Sequence, residues 1–484
     1  MNESVLQYDG VTITYPNGHC AVREVSLAVA PGECLALVGE SGCGKTTLAR
    51  AALGLLPAEV KISGAIRVGG AKVIGASPAT LRSLRGRVVG FVAQDPFGAC
   101  NPLARVFDHV AEAWRAHGLA PPQEKIIQQL EALGIADAEN RLRQYPHEWS
   151  GGMLQRATIA AATAHQPTLL IADEPTSALD AEHAQSVLEL LRSFNSALLL
   201  ISHDLNLVAQ YADRIAVCLD GQIVETGATT EILRQPRHPY TQKLLNSPPQ
   251  LAGDPFRERG EVVLEASGVS KKYHRQRDSI RAVNRASLLV RRGEVVGICG
   301  PSGCGKSTLL RLLGTIEPPT EGRVLFGGKP GARGGFVMPI FQDPISSLDA
   351  RWPVWRTVTE PLLAVHRRSK PSREERRRIA RERLAAVGLA EIDLDARPAE
   401  LSVGQCQRVA IARALVAEPA LIVADEPTSA LDAVIANEIL QRLAEAAAAG
   451  TAIILVSHDR RMLNAFCHRV LTMREGNLQE DSSQ

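Results

Sequence analysis

The chain has 484 residues, a formal net charge of +2, and a composition of 45% hydrophobic and 22% charged residues. Soluble globular proteins have a similar composition, and a chain of this length holds about two to four domains at ~100–200 residues each. The balanced charge argues against nucleic acid as a partner, which usually requires a basic stripe. The apolar runs are much shorter than the ~18 residues that span a bilayer, and the N-terminus lacks the features of a signal peptide. We therefore expect a protein of the cytoplasm.

The first motif is GESGCGKTT, a complete P-loop that follows the apolar run Cys34–Val38 and precedes the helix-forming segment Thr47–Leu55. The apolar run predicts a buried strand. In such a loop the glycines let backbone N–H groups wrap phosphates, and the next helix directs its positive end toward them. Lys45 neutralises charge on the β- and γ-phosphates, while Thr46 offers its hydroxyl to Mg²⁺. The predicted nucleotide-binding residues of this loop are Gly39, Glu40, Ser41, Gly42, Cys43, Gly44, Lys45, Thr46 and Thr47.

Further along the first half, the segment Asp95–Tyr145 is rich in helix-forming residues and predicts an inserted helical subdomain. The apolar run Leu169–Ala172 then ends on the acidic pair Asp173 and Glu174, and a further apolar run precedes His203. An open α/β sheet binds its ligand at the carboxyl ends of its strands. There, the aspartate suits a hold on hydrated Mg²⁺, and the glutamate suits orienting or polarising an attacking water.

The second half repeats this series at an offset of about 250 residues, which indicates duplication of a whole domain rather than a short repeat. Its P-loop, GPSGCGKST, follows the predicted strand Val295–Cys299, and the helix-rich segment Asp343–Pro398 corresponds to the first helical insertion. We predict an α/β fold with two tandem P-loop nucleotide-binding domains, 1–246 and 262–484, joined by a Pro/Gly-rich linker, 247–261. The predicted nucleotide-binding residues of the second loop are Gly300, Pro301, Ser302, Gly303, Cys304, Gly305, Lys306, Ser307 and Thr308, and the residues matching the acidic pair and histidine are Asp425, Glu426 and His458.

The order P-loop, Gln94, Ser-Gly-Gly, ADEPTSALD and His203 resembles an ABC-type ATPase domain, and the second half repeats it over nearly the whole chain. The resemblance implies ATP and Mg²⁺ as cofactors and gives each matching residue a role. Metal ligands would be Thr46, Gln94, Asp173, Ser307, Gln342 and Asp425, and the two glutamines would also sense a membrane partner. Catalytic residues would be Glu174, Glu426, His203 and His458, the histidines holding the γ-phosphate. Tyr15 and Tyr273 would stack on adenine, as a flat aromatic face suits, and Asp180 and Asp432 would form loops that communicate between sites.

The family also implies head-to-tail pairing, in which each ATP lies between one P-loop and the signature of the other domain. The signature WSGGM, with Ser150, Gly151 and Gly152, would face Lys306. The signature LSVGQ, with Ser402, Gly404 and Gln405, would face Lys45. Val403 replaces a glycine there, and a β-branched residue is awkward where the backbone approaches phosphate closely or requires a positive φ. We therefore expect the site on Lys45 to be the weaker one.

Several segments resemble the peptide/nickel branch of ABC importers, so that the chain looks like two ATPases of one importer fused in order. They are YPHEWSGGMLQR (145–156), RHPYTQKLL (237–245), FQDPISSLDARWPV (341–354) and SVGQCQR (402–408). This resemblance implies two integral membrane permease subunits, an extracytoplasmic solute-binding protein, and a location at the cytoplasmic face of the inner membrane. The short halves favour nickel or metallophore importers. Because 247–260 contains no cysteine, we expect no iron–sulfur cluster.

Two other functional classes remain open. One is an ABC-type accessory protein of phosphonate breakdown, and the other is a soluble tandem ABC protein that acts on ribosomes or nucleic acid. The second class would have a long charged linker and a more basic balance. Neither class has integral membrane partners, so copurification with permease subunits separates both from an importer.

Nine cysteines are scattered along the chain, and their odd number and lack of a C-x-x-C pair argue against a disulfide framework. Cys43 and Cys304 occupy the same position in the two P-loops. A thiol beside a phosphate cradle and a helix N-terminus can have a depressed pKa and react when ATP is absent. The alternative is that a small residue merely fits there.

Overall fold

The protein is described by a computed structural model that covers residues 4–40, 42–176, 181–245, 249, 251, 260–275, 278–301, 303–332, 336–365, 370–429 and 431–480. It consists of two compact units, Met1–Asn246 and Ser247–Gln484. The predictions made for Ser41, Ser302, Asp180 and most of the linker lie outside the described residues. Among the helices described, none has the length and apolar character needed to cross a membrane.

The first unit combines parallel and antiparallel strands with helices. Its strands are β1 (Leu6–Thr14), β2 (Cys20–Val29), β3 (Cys34–Gly39), β4 (Lys61–Val68), β5 (Ala71–Lys72), β6 (Val89–Val92), β7 (Leu169–Asp173), β8 (Ala197–Ser202), β9 (Arg214–Leu219) and β10 (Gln222–Ala228). Its helices are α1 (Lys45–Ala52), α2 (Pro78–Leu84), α3 (Val106–Arg115), α4 (Gln123–Ala132), α5 (Ala138–Arg141), α6 (Gly151–Thr163), α7 (Ala181–Ser193), α8 (Leu205–Val208), α9 (Thr229–Arg234) and α10 (Pro239–Leu245).

The second unit follows the same plan. Its strands are β11 (Val262–Arg275), β12 (Asp278–Arg291), β13 (Val295–Cys299), β14 (Glu321–Phe326), β15 (Lys329–Pro330), β16 (Val337–Ile340), β17 (Leu421–Asp425), β18 (Ala452–Val456), β19 (Arg469–Arg474) and β20 (Asn477–Glu480). Its helices are α11 (Lys306–Leu313), α12 (Val354–Val365), α13 (Arg373–Ala386), α14 (Val403–Leu415), α15 (Ala433–Ala448) and α16 (Arg460–Phe466).

Each unit contains a six-stranded sheet that is parallel except for one edge strand. The strand order is β10-β9-β3-β8-β7-β6 in the first unit and β16-β17-β18-β13-β19-β20 in the second. All residues of β3, β7 and β8 are buried, as expected for continuous apolar strands covered on both faces. The strands predicted before each P-loop, acidic pair and histidine are therefore confirmed.

A second, antiparallel sheet in each unit was not predicted from the sequence. Its strand order is β2-β1-β4-β5 in the first unit and β12-β11-β14-β15 in the second. In the first unit, Leu6 and Tyr8 of β1 share one hydrophobic core with Leu35 of β3 and Leu48 of α1. The antiparallel sheet thus buries one face of the helix that follows the P-loop.

The predicted helical insertions are present in both units. In the first unit, Trp114 of α3, Leu130 of α4 and Leu154 of α6 share a separate core. In the second, α12, α13 and α14 contribute Trp355, Leu384 and Cys406 to a core that continues into the parallel sheet. The helix after the first P-loop begins at Lys45, two residues earlier than predicted, because Gly44 caps it in a left-handed conformation.

The order of the strands brings the motifs together. β7, which leads to the acidic pair, is hydrogen bonded to β8, which leads to His203, and β8 is bonded to β3, which leads to the P-loop. All three are parallel, so their carboxyl ends lie on one edge of the sheet. The corresponding strands of the second unit, β17, β18 and β13, have the same arrangement. Each unit therefore forms its own candidate site.

Candidate active site

The first P-loop is held tightly against the strands around it. A Cβ atom at Gly39 would overlap the carbonyl oxygen of Cys218, and one at Gly44 would overlap that of Ala21. Gly44 also has a φ of 100°, a conformation that favours glycine. The ammonium group of Lys45 donates to the carbonyl oxygens of Gly39 at 2.8 Å and Glu40 at 2.6 Å. The loop is therefore fixed at both ends, with its lysine folded over it.

The second P-loop has the same geometry. A Cβ atom at Gly300 would overlap the carbonyl oxygen of Met473, and Gly305 has a φ of 108°. The ammonium group of Lys306 donates to the carbonyl oxygens of Gly300 at 2.7 Å and Pro301 at 2.8 Å. The close agreement between the two loops follows from their nearly identical sequences.

The aspartate of each acidic pair lies beside the hydroxyl at the start of the P-loop helix. Thr46 Oγ1 donates to Asp173 Oδ1 at 3.1 Å. Burial raises the pKa of Asp173, and the hydrogen bond from Thr46 opposes that shift. In the second unit burial raises the pKa of Asp425, with Ser307 as the hydrogen-bond donor. The structure thus brings each predicted pair of oxygen ligands together.

The glutamate of each acidic pair has an unusual backbone conformation. Glu174 has a φ of 45° and Glu426 a φ of 48°, which places non-glycine residues in the left-handed region at a cost of about 1–3 kcal/mol. The backbone N–H of Glu174 donates to Ile201 at 2.9 Å, and that of Glu426 donates to Val456 at 3.0 Å. The chain therefore turns sharply where the strand ends, and strain of this kind is typical of functional sites.

Each glutamate is paired with the predicted histidine. Nδ1 of His203 lies 3.4 Å from Glu174 Oε2, and Nδ1 of His458 lies 3.3 Å from Glu426 Oε1. Burial raises the pKa of Glu174, but the hydrogen bond and charge of His203 and the charge of Lys45 outweigh it and leave that pKa below its usual range. The hydrogen bond to Glu174 in turn raises the pKa of His203. The glutamate is consequently ionised at neutral pH.

The predicted glutamines reach the same carboxylates. Nε2 of Gln94 donates to Glu174 Oε2 at 2.9 Å, and Nε2 of Gln342 donates to Glu426 Oε2 at 3.4 Å. These bonds leave the amide oxygens for other partners. Each site thus joins an amide, a carboxylate and an imidazole in one hydrogen-bonded set.

The two signatures cap helices of the helical insertions. Ser150 accepts a hydrogen bond from the backbone N–H of Met153 at the start of α6, and Ser402 accepts one from that of Gln405 at the start of α14. Val403 is the first residue of α14, and its side chain is 47% exposed. Because this position is helical, a positive φ is not a reason for valine to be awkward here, and close approach to phosphate is the reason that is left.

The segment RHPYTQKLL folds back onto strand β10. The carboxylate of Glu225 accepts hydrogen bonds from the backbone N–H groups of Arg237 at 2.8 Å and His238 at 3.0 Å. Behind them, Tyr240 and Thr241 are buried. The side chain of Glu225 therefore fixes the start of α10, which ends the described part of the first unit.

Comparison with known families decides the class of these sites. The family described as ABC transporter matches residues 22–177 and 283–429, one match in each unit. The chain belongs to the ABC transporter ATP-binding family. Both units are therefore ABC ATPase domains, and the chain is an ATPase. A second family, the C-terminal region of oligopeptide/dipeptide transporters, matches residues 224–271, which include Glu225 and helix α10.

Relatives resemble this ABC protein over almost its full length. An uncharacterised ABC transporter ATP-binding protein, YejF of Escherichia coli, is 36% identical over 99% of this chain and 96% of its own. The oligopeptide transport ATP-binding protein OppD of Mycobacterium bovis is 33% identical over 95% of this chain and 91% of its own. The glutathione import ATP-binding protein GsiA of Pectobacterium atrosepticum is 34% identical over 95% and 82%. The chain thus belongs with ATP-binding proteins of peptide and glutathione import systems.

Among solved structures, one titled RNase-L Inhibitor matches 96% of this chain and 89% of its own, with a TM-score of 0.65 and 21% identity. At this identity the likeness shows the fold alone. It agrees with an α/β chain that carries two ABC ATPase domains.

The side chains of both ABC sites fit magnesium and ATP. Mg²⁺ prefers oxygen ligands and is usually bound through one or two carboxylates, several waters and substrate phosphates. Thr46 and Asp173 supply such oxygens within 3.1 Å of each other, and Gln94 supplies an amide. Gly42 has a φ of 86° and open space where a Cβ would point, as a loop that wraps phosphates requires.

The two tyrosines predicted to stack on adenine differ in their surroundings. The hydroxyl of Tyr15 lies 3.4 Å from that of Thr47 in the P-loop helix. The hydroxyl of Tyr273 instead donates to Glu317 at 2.8 Å, and the ammonium of Lys271 lies 5.5 Å from its ring centroid. The structure thus brings Tyr15 to its P-loop, while Tyr273 is tied to a carboxylate.

A groove of about 320 Å³ lies beside the second ABC site. It extends from Ser307 and Asp425, past Gln342, to Asp343 and Ser346. The groove therefore connects the predicted metal ligands with the surface around the glutamine.

Asp432, predicted to form a communicating loop, caps helix α15 by accepting a hydrogen bond from the backbone N–H of Ile435 at 3.0 Å.

Sequence reasoning missed two residues that lie against these sites. Glu317 holds Tyr273, and Cys218 donates a hydrogen bond from its thiol to the carbonyl oxygen of Cys43 at 3.0 Å. Both are distant in sequence from the motif they contact. An alignment of the two halves could have drawn attention to Cys218, because the cysteine is replaced there by Met473 while the P-loop cysteine is kept in both halves.

Proposed function

We propose that this chain hydrolyses ATP to energise import of a peptide or peptide-like solute through separate membrane subunits. The observation that carries the proposal is the match of residues 224–271 to the C-terminal region of oligopeptide/dipeptide transporters, between the two ABC matches. The relatives named for oligopeptide and glutathione import cover at least 95% of the chain. The chain would then do the work of two fused ATPase subunits of one importer.

The structure supports a dedicated role for this C-terminal element. Each carboxylate oxygen of Glu225 accepts one hydrogen bond, from the backbone N–H of Arg237 and from that of His238. A terminal segment with no function would not need this specific attachment. Hydrogen bonds to a charged acceptor are stronger than those between neutral groups. The element is therefore built into the first domain.

The reaction is ATP plus water to ADP plus phosphate. The backbone N–H groups of each P-loop, with Lys45 or Lys306, bind and orient the phosphates. Glu174 or Glu426, ionised and held by its histidine, orients the attacking water. His203 or His458 would hold the γ-phosphate. When bound, Mg²⁺ neutralises charge that develops on the phosphate oxygens.

We also propose that the two ABC domains of one chain act as a head-to-tail pair. Ser150, Gly151 and Gly152 would complete the site on Lys306, and Ser402, Gly404 and Gln405 would complete the site on Lys45. The support is that both signatures begin a helix with a serine cap. A helix N-terminus offers unpaired N–H groups to an anion.

The partners follow from this function. Two integral membrane permease subunits and an extracytoplasmic solute-binding protein would contact the solute, and the chain would lie at the cytoplasmic face of the inner membrane. Nucleic acid is not among the proposed partners. The relatives that are named for oligopeptide and glutathione import favour a peptide-like solute, and a nickel chelate is the alternative.

Reconstitution tests the proposal. The chain, purified with its permease subunits in proteoliposomes, should take up a labelled oligopeptide when ATP and the binding protein are present. A matched preparation carrying both Glu174→Gln and Glu426→Gln should bind ATP and take up nothing. Uptake of a nickel chelate instead of the peptide would correct the solute. Failure of the chain to copurify with any permease subunit would overturn the importer function and favour a phosphonate-pathway or ribosome-associated protein.

A further inference from the structure

Two cysteines meet beneath the first P-loop. Cys43 lies in the loop, and Cys218 lies on β9, where it is the register partner of Gly39 at the end of β3. The thiol of Cys218 donates to the carbonyl oxygen of Cys43 at 3.0 Å, so the Cys218 sulfur lies against the loop at Cys43. A Cβ atom built on Gly39 would lie 2.9 Å from Cys43 Sγ. The missing side chain of Gly39 thus leaves room for the Cys43 thiol.

The second unit lacks this pair. Cys304 has the same place in its P-loop as Cys43, and its Sγ lies 3.0 Å from a Cβ built on Gly300. The residue of β19 that corresponds to Cys218 is Met473. Its carbonyl oxygen lies against Gly300 as the carbonyl oxygen of Cys218 lies against Gly39. A thioether cannot form a disulfide. The residue beneath the P-loop cysteine is therefore a second cysteine in the first unit and a methionine in the second.

The two thiols of the first unit differ in reactivity. The Cys218 thiol and the ammonium of Lys45, which lies 3.8 Å from Cys43 Sγ, lower the pKa of Cys43 to about 7 against the opposing effect of burial. Cys43 is 7% exposed, whereas Cys218 is fully buried. A small oxidant would therefore react first at Cys43, because the thiolate is the nucleophile.

We propose that Cys43 and Cys218 form a reversible disulfide that switches off nucleotide binding at the first P-loop under oxidising conditions. The oxidant is a hydroperoxide. The Cys43 thiolate attacks the peroxide oxygen and gives a sulfenic acid, while the other oxygen leaves as water or an alcohol. Cys218 sulfur then attacks the sulfenic sulfur, and a water leaves as the S–S bond forms. Two thiols are oxidised by two electrons and one hydroperoxide is reduced.

The disulfide would disturb the P-loop through its backbone. The bond from the Cys218 thiol to the Cys43 carbonyl disappears when that thiol is consumed. Cys43 lies between Gly42, with a φ of 86°, and Gly44, with a φ of 100°. Because glycine backbones have wide conformational freedom, the backbone of Cys43 can rotate between them. Moving Cys43 toward β9 takes its own N–H and that of Gly44 away from the positions that wrap phosphate. Nucleotide that already occupies the loop should slow the reaction for the same reason.

The test uses the full chain and a fluorescent ATP analogue. Hydrogen peroxide is applied without nucleotide, the disulfides are mapped by peptide mass spectrometry, and the bound analogue is counted at saturation. We expect a Cys43–Cys218 cross-linked peptide, a fall from two bound nucleotides per chain to one, and recovery with dithiothreitol. Prior addition of MgATP should protect the chain.

Two variants make the test specific. Cys218→Met copies the second unit and should keep two bound nucleotides after peroxide, and Cys218→Ser serves if the larger side chain disturbs folding. Met473→Cys should install the switch in the second unit, so that the oxidised variant binds none. The proposal is overturned if no Cys43–Cys218 peptide forms, or if oxidised Cys218→Met and Cys218→Ser lose binding as the wild type does.

Discussion

The two ABC domains share the same hydrolytic geometry and differ in the groups that surround it. The lysine ammonium donates to two loop carbonyls in both, and the distance between histidine and glutamate is 3.4 Å in the first domain and 3.3 Å in the second. Both glutamates have left-handed backbone conformations. Two differences are in residue type, with Cys218 replaced by Met473 and Gly151 by Val403. The third is in the hydrogen-bond partners of Tyr15 and Tyr273. Duplication has therefore kept the reacting groups and varied the residues that could regulate or tune them.

Removing the water-orienting carboxylate should have the largest effect. Positioned acid–base groups contribute about 10²–10⁴-fold to rate, so Glu426→Gln should nearly abolish steady-state ATPase activity. Glu174→Gln should leave a measurable fraction, because its site is the one completed by the signature that contains Val403. The measurement is the ATPase rate of both variants with the membrane subunits present. Equal losses, or a greater loss for Glu174→Gln, would contradict this asymmetry.

Exchanging the signature residues tests the cause of that asymmetry. Val403 has an ordinary helical backbone, and a Cβ at Gly151 would meet only the ring of Phe97 at 3.8 Å. Any cost of valine must therefore come from its approach to phosphate rather than from strain in its own domain. Gly151→Val should lower the ATPase rate, by up to about 10²-fold if one charge-stabilising donor is misaligned. Val403→Gly should raise the rate. Unchanged rates in both variants would show that the signatures are equivalent.

The tyrosines should give the smallest effects. Aromatic contacts are worth about 0.5–1.5 kcal/mol, or about two- to tenfold in affinity. Tyr15→Ala and Tyr273→Ala should each weaken ATP binding at one site by this factor. Glu317→Gln weakens the hold on Tyr273 and should tighten binding at the second site alone. Titrations in the Lys45→Ala or Lys306→Ala background isolate each site. An effect of Glu317→Gln on the first site would argue against this local explanation.

Much of this comparison could be predicted from the sequence, because the motifs have short and fixed spacings. The strands before Gly39, Asp173 and His203 were predicted from apolar runs, and parallel pairing of those strands then brings the motifs to one edge of the sheet. The antiparallel sheets could not be predicted in this way. Strands β1 and β4 pair residues that are distant in sequence, from Thr14 with Lys61 to Leu6 with Val68. The residue pattern of neither strand identifies its partner.

The features missed depend on contacts between distant segments. Cys43 and Cys218 are brought together by the pairing of β3 with β9, and the sequence shows only that both are cysteines. The positive φ of Glu174 accompanies its backbone hydrogen bond to Ile201, a contact that local propensity does not reveal. Val403 is the opposite case. Its glycine counterpart suggested a special conformation, whereas both positions simply begin a helix.

The central claim is that one chain carries two complete ATP sites, each with its own P-loop. Equilibrium binding of MgATP to the purified full chain tests it most directly, with hydrolysis blocked by Glu174→Gln and Glu426→Gln. We predict two nucleotides per chain, falling to one when Lys45→Ala is added and to one when Lys306→Ala is added instead. A single nucleotide per chain before either lysine is changed, or loss of both nucleotides on changing one lysine, would contradict the claim.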